Sequence, residues 1–150
     1  MGQITVEHEG AVGAPAELTY GLIADDAHHQ KFLPEAFSNF QVRSGGVGAG
    51  TVHSFDIKAG GRVRSYLMDV SEPEPGRVLM ESDRDSSLVT TFTVTPDAAG
   101  CRVRITTTWQ GASGVGGFFE RTFAPKVLRK LYAEELARLD TYARARASGA

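Results

Sequence analysis

Residues 101–146 read CRVRITTTWQGASGVGGFFERTFAPKVLRKLYAEELARLDTYARAR, and the order of patterns within them decides the fold. The first ten set Cys101, Val103, Ile105, Thr107 and Trp109 on one side of an extended chain and Arg102, Arg104, Thr106 and Thr108 on the other. That alternation is the signature of a half-buried strand. Gly111–Gly117 then carries four glycines, too many for a strand or a stable helix, so the segment is expected to act as a hinge. Pro125 marks the first turn of a helix predicted from about Ala124 to Arg146. Phe119, Phe123, Val127 and Leu131 recur at spacing four, and Leu128, Leu139 and Tyr142 widen that apolar face as it drifts around the axis. Glu134, Glu135, Arg138 and Asp140 are expected to face water.

Upstream of this unit, short alternating segments dominate. Ile4 to Glu9 reads as a strand, and Pro15 opens a helix over about Ala14 to Asp25 that offers Leu18, Leu22 and Ile23 to a core. Asp26 is expected to cap a second short helix containing His28 to Phe32, which Pro34 ends. Further strands are predicted over Phe40–Arg43, Thr51–Lys58, Gly61–Val70, Arg77–Asp83 and Leu88–Thr95, before the one that begins at Cys101. Ala59-Gly60, Pro73 to Gly76 and Pro96 to Gly100 supply turns between them. Strands that follow one another without crossover helices must pair antiparallel. The expectation is an α+β domain: a curved seven-stranded antiparallel sheet closed by one long terminal helix, with two short helices. Such a shell is a container.

Composition bounds what the container serves. At 150 residues, 41% apolar and 23% charged, the chain is expected to form a single domain over 1–150 with one core. A net charge of −2, with arginines alternating between apolar residues rather than forming a track, argues against nucleic acid. The lone Cys101 rules out an internal disulfide and reads as a small core or rim residue. With no run of about 20 apolar residues and no basic leader, no membrane insertion is expected, and the location is expected to be cytoplasmic.

The order of elements resembles the START-related (SRPBCC) helix-grip superfamily, which includes polyketide cyclases, pollen-allergen-like proteins and lipid-transfer domains. More narrowly, it resembles the bacterial polyketide cyclase/dehydrase-type family. The residues that carry the likeness are Ala24-Asp25-Asp26 before the second short helix, Phe92-Thr93-Val94-Thr95-Pro96 with Gly100 after it, and the tail beginning Phe118-Phe119-Glu120-Arg121. The resemblance implies an apolar or amphipathic ligand, lipid-like or aromatic, held between sheet and helix without a cofactor. Such families often place a Trp or another bulky residue after the Asp pair, where this chain has Ala27-His28-His29-Gln30.

Period-two reading assigns Thr51, His53, Phe55 and Ile57 to one inward face, with Tyr66, Met68 and Val70, then Val78, Met80 and Ser82, then Leu88, Thr90, Phe92 and Val94. From these, Phe55, Met68, Met80, Phe92 and Trp109, together with Phe119 and Phe123, are the candidate ligand contacts. His53 is the candidate acid or base, with Tyr66 as a phenolic donor; either residue is equally at home as a structural hydrogen-bonding group. His28 and His29 are adjacent and cannot act as i,i+4 metal ligands, so no metal site is predicted, and both are expected to be solvated. Asp69 and Asp83 alternate away from the inward face, which argues against a buried carboxylate pair. Ser54 and Ser113 lie in no nucleophile elbow. The leading functional reading is binding of a small hydrophobic or amphipathic molecule in an internal cavity. The second is a cyclase or dehydratase acting on a polyketide-like or aromatic substrate, and the third a macromolecular docking module, with a homodimer left open.

Overall fold

The computed structural model describes residues 2–110 and 124–149. Strand β1 (Gln3–Val12) is followed by helices α1 (Ala16–Ala24) and α2 (Asp26–His29). Six strands come next: β2 (Phe37–Ser44), β3 (Val52–Ala59), β4 (Arg62–Glu74), β5 (Val78–Asp83), β6 (Val89–Asp97) and β7 (Gly100–Gln110). Helix α3 (Pro125–Ala147) ends the chain. The strands form one antiparallel sheet in the order β1-β7-β6-β5-β4-β3-β2. This is the helix-grip plan. The hinge expected at Gly111–Gly117 lies outside the described residues, as do Phe119 and Phe123.

Turn chemistry explains the boundaries that differ from the sequence reading. The β3–β4 hairpin turns on Gly60 (φ 59°) and Gly61 (φ 77°), with Ala59 still paired to Arg62. A two-residue turn of this kind needs positive φ at both positions, so the glycine pair takes it and Ala59 stays in the strand. Strand β4 runs past Pro73 because the pairing register shifts between Ser71 and Glu74, a bulge that tolerates a residue with no N–H. Gly100 (φ 142°) is required by contact as well as conformation, since a Cβ there would lie 2.5 Å from the Val12 carbonyl oxygen.

The inward side of the sheet is largely apolar, and α3 packs against it. Leu128, Leu131, Tyr132, Glu135, Leu136, Leu139 and Ala143 make the buried stripe of α3, at the three-and-four spacing of one helical face. Opposite lie Val103, Ile105, Thr107 and Trp109 of β7, Phe92 and Val94 of β6, and Leu79 of β5, all buried. Two expectations fail here. Glu135 is buried rather than facing water, and β5 turns Leu79, Glu81 and Asp83 inward, so Val78, Met80 and Ser82 take the other, half-buried face. Asp83 is satisfied there by the Leu67 amide (3.0 Å) and the Ser86 hydroxyl (2.7 Å).

Among the described residues no helix is long and apolar enough to cross a membrane.

Candidate functional site

The site begins at the junction of α1 and α2. Asp25, not Asp26, caps α2: its Oδ1 accepts from the Ala27 amide at 3.0 Å. The junction is clamped to the β2–β3 loop, where Asp26 N donates to Gly46 O (2.9 Å) and Gly48 N donates to Ala24 O (3.0 Å). Freed from capping, the Asp26 side chain is buried and its Oδ2 accepts from His53 Nδ1 on β3 at 2.9 Å. His29, three residues on and therefore on the same side of the short helix, is also buried rather than solvated. Its Nδ1 donates to the Ile23 carbonyl at 2.9 Å, and its Nε2 lies 3.3 Å from Glu135 Oε2 of α3. Helix α2 is thus bolted to the sheet by one histidine–carboxylate pair and to α3 by another.

His53 of the first pair and both members of the second face one cavity. Its walls are His29, Leu33, Phe37, Phe40, His53, Phe55, Ile57, Tyr66, Met68, Glu81, Leu88, Thr90, Phe92, Leu128, Tyr132 and Glu135. The cavity volume is about 40 Å³, room for about two or three waters. Leu33, Phe37 and Phe40 are only partly buried and form its mouth. Phe37 and Phe40, three apart, would fall on opposite faces of a regular strand. A register shift between Ser38 and Gln41, with Asn39 at φ 53°, brings both to the cavity. The Phe40 ring then lies 4.9 Å from that of His53, and Phe37 5.5 Å from Phe55.

The electrostatics centre on His53, which is only 1% exposed. Its Nε2 lies 3.6 Å from Glu81 Oε2, beyond hydrogen-bond range, and has no hydrogen-bond partner. Burial lowers the pKa of His53, but the Asp26 and Glu81 carboxylates outweigh it and raise it to about 10, so the ring is an imidazolium at neutral pH. Burial likewise pushes Glu81 upward, yet His53 prevails and holds it below the ordinary glutamate value. Glu135 is raised, because burial and the nearby Glu81 charge outweigh His29. His29 is raised too: burial is overcome by the Glu135 hydrogen bond and the Glu81 and Glu135 charges. Across the cavity a second polar run links Thr90 Oγ1, Thr107 Oγ1 and the Tyr132 hydroxyl, at 2.8 and 2.5 Å.

Of the residues singled out from sequence, His53, Tyr66, Phe55, Met68 and Phe92 share this cavity. Trp109 is buried on the inward face but is not part of the wall, and Met80 is turned off it by the register of β5. Phe119 and Phe123 lie outside the described residues. Sequence reasoning missed Asp26, His29, Glu81, Tyr132 and Glu135. For Tyr132 a signal was present, since it stands four residues after Leu128 on the buried stripe. Among the described residues, no three His, Cys, Asp or Glu side chains converge as metal ligands.

A family model described as polyketide cyclase/dehydrase and lipid transport matches residues 3–144. The solution structure of the KanY protein is 36% identical with a TM-score of 0.84, covering 96% of this chain and 99% of its own. A Thermus thermophilus crystal structure is 22% identical (TM-score 0.76; 95% and 99% covered). A major latex-like protein of Panax ginseng is 10% identical (TM-score 0.73; 94% and 97% covered). The last two speak for the fold alone. A search of curated proteins finds no match.

Proposed function

Since the chain belongs to the polyketide cyclase/dehydrase and lipid transport family, we propose that it binds a small apolar or amphipathic molecule in the cavity between sheet and α3. The observation that carries this reading is the unpartnered His53 Nε2, buried in a wall where phenylalanine, leucine, isoleucine and methionine alternate with His29, Tyr66, Glu81, Thr90, Tyr132 and Glu135. A buried donor left unsatisfied is costly, and a ligand that supplies its partner recovers that cost. Burying about 200 Å² of ligand surface would contribute about 5 kcal/mol before ordering costs, so apolar contact alone gives weak binding and the polar end sets useful affinity. The cavity has room for a small polar head group, and a larger ligand would have to displace the half-buried Leu33, Phe37 and Phe40 at its mouth.

The second reading, cyclase or dehydratase chemistry on a polyketide-like substrate, is favoured by one specific feature. A charged donor (His53) and an ionised acceptor (Glu81) face the same enclosed volume, with Tyr66 in the same wall. An imidazolium there can donate a proton to, or stabilise, a developing enolate oxygen, while the carboxylate removes a proton from the adjacent carbon. Both readings are tested by native mass spectrometry of gently purified protein, followed by incubation of the released molecule with fresh protein. A retained apolar molecule recovered unchanged supports a carrier, and its conversion supports an enzyme. Retention that persists after Phe92→Ala and Leu128→Arg would refute binding at this cavity.

A further inference from the structure

We infer that the Asp26–His53–Glu81 end of the cavity is a subsite for a hydroxyl group, taking a neutral phenol or enol head and turning away a carboxylate. The inference rests on the cavity-binding reading and names the ligand class for that site.

The geometry supplies the argument. His53 Nε2 and Glu81 Oε2 stand 3.6 Å apart, too far for a direct hydrogen bond and close enough for one oxygen atom to reach both. The opposite side of the imidazole is already committed, with Nδ1 on Asp26 at 2.9 Å, so the ring cannot swing away to find another partner. The gap therefore asks for a group that accepts from Nε2 and donates to a carboxylate. A hydroxyl does both with one atom.

Other heads fail on one side or the other. A carboxylate accepts from His53 but brings its charge against Glu81 with no proton to offer. An ammonium meets Glu81 but has no lone pair for Nε2. Among the described residues the cavity wall contains no arginine or lysine, and its histidines are each set against a buried carboxylate, His53 with Glu81 and His29 with Glu135. No cation among these described residues is left over to hold an anionic ligand, and placing a second negative charge beside buried carboxylates is strongly unfavourable. Ketone substrates fit the same logic through their enol form, whose O–H bridges the pair as a phenol does.

The test compares four single-ring probes of matched shape, 4-propylphenol, 4-propylbenzoate, 4-propylbenzylamine and propylbenzene, by NMR titration of the intact chain at neutral pH. The expected result is binding of the phenol about tenfold or more tighter than any of the others, with amide shifts at Phe92 and Leu128. In Glu81→Gln the phenol's advantage over the benzoate should fall about tenfold, because the repelling charge is gone while the shape remains. A benzoate or benzylamine that binds wild-type protein as tightly as the phenol, or a phenol no tighter than propylbenzene, overturns the subsite and leaves cavity binding standing. Absence of shifts with all four probes overturns cavity binding itself, and the subsite with it. The wild-type ranking decides the question even if the variant does not fold.

Discussion

Replacing Asp26 by Asn tests the electrostatic account of the site most directly. In the wild type the folded-state pKa of His53 is raised from 6.5 to about 10. A group whose pKa is raised on folding lends stability that is complete below its unfolded value and is lost as pH climbs through the folded one. The window for His53 therefore opens near 6.5 and closes near 10. Within it the native state holds a proton that the unfolded chain has released, and each pH unit removes about 1.4 kcal/mol. Between about pH 7 and about pH 9, wild-type stability should fall by about 2–3 kcal/mol, a large part of a typical domain's total. His29, also raised, adds to the slope in the same direction. Asp26→Asn keeps the shape and removes the charge nearest Nδ1, leaving Glu81 at 3.6 Å as the remaining partner. The variant should lose part of the His53 slope and be less stable at neutral pH by about 2–4 kcal/mol. Urea unfolding at several pH values measures the slope, and nitrogen-15 shifts of the imidazole report the pKa itself. A wild-type stability that is flat across this range, or a His53 that titrates near its ordinary value, would refute the reasoning.

Three further outcomes follow from packing. Tyr132→Phe removes the hydroxyl that meets Thr107 and should cost about 1 kcal/mol in urea unfolding; an unchanged midpoint would mean the Thr90–Thr107–Tyr132 run contributes nothing. Gly100→Ala should cost at least about 2 kcal/mol by thermal or urea unfolding, since the new Cβ would collide with the Val12 carbonyl in a backbone conformation that L residues resist. Met68→Ala should cost about 2–4 kcal/mol and weaken ligand retention, whereas Met80→Ala, on the other face of β5, should leave retention unchanged. Equal effects of the two methionine substitutions on retention would contradict the register of β5.

That register shows where sequence reasoning reached its limit. The run VLMESD can present Val78 and Met80, or Leu79 with Glu81 and Asp83, and transfer energies favour burying the first set. The structure buries the second because His53 waits across the sheet for Glu81, and because Asp83 meets the Leu67 amide. Neither partner is a neighbour in sequence. Glu135 repeats the lesson: on a helix drawn alone it belongs with Glu134 in water, and only His29, 106 residues away, makes its burial tolerable. Where partners are generic apolar surface, local pattern sufficed. The alternations of β3, β6 and β7 were legible, since any apolar face serves any other, and so were Leu128, Leu131 and Leu139 of α3, whereas Val127 and Tyr142 are only half-buried and Leu136 and Ala143 were not singled out. His53, Tyr66, Phe55, Met68 and Phe92 could thus be read from the chain, and the carboxylates set against the histidines could not, because paired charges are specified only by the fold that brings them together.

The pairing of β1 with β7, running from Gln3 opposite Gln110 to Val12 opposite Cys101, carries a consequence for synthesis of the chain. Among the described strands β1 is made first, and its hydrogen-bonding neighbour, β7, is made last. Until then Val6 and Val12, destined for full burial, travel beside an open ladder edge. A loop closure this long makes completion of the sheet slow, so β1 stays exposed to chance association until β7 has been made. Tethering a copy of β7 ahead of β1 would give that edge an early occupant, and the gain in soluble yield would measure how much the wait costs.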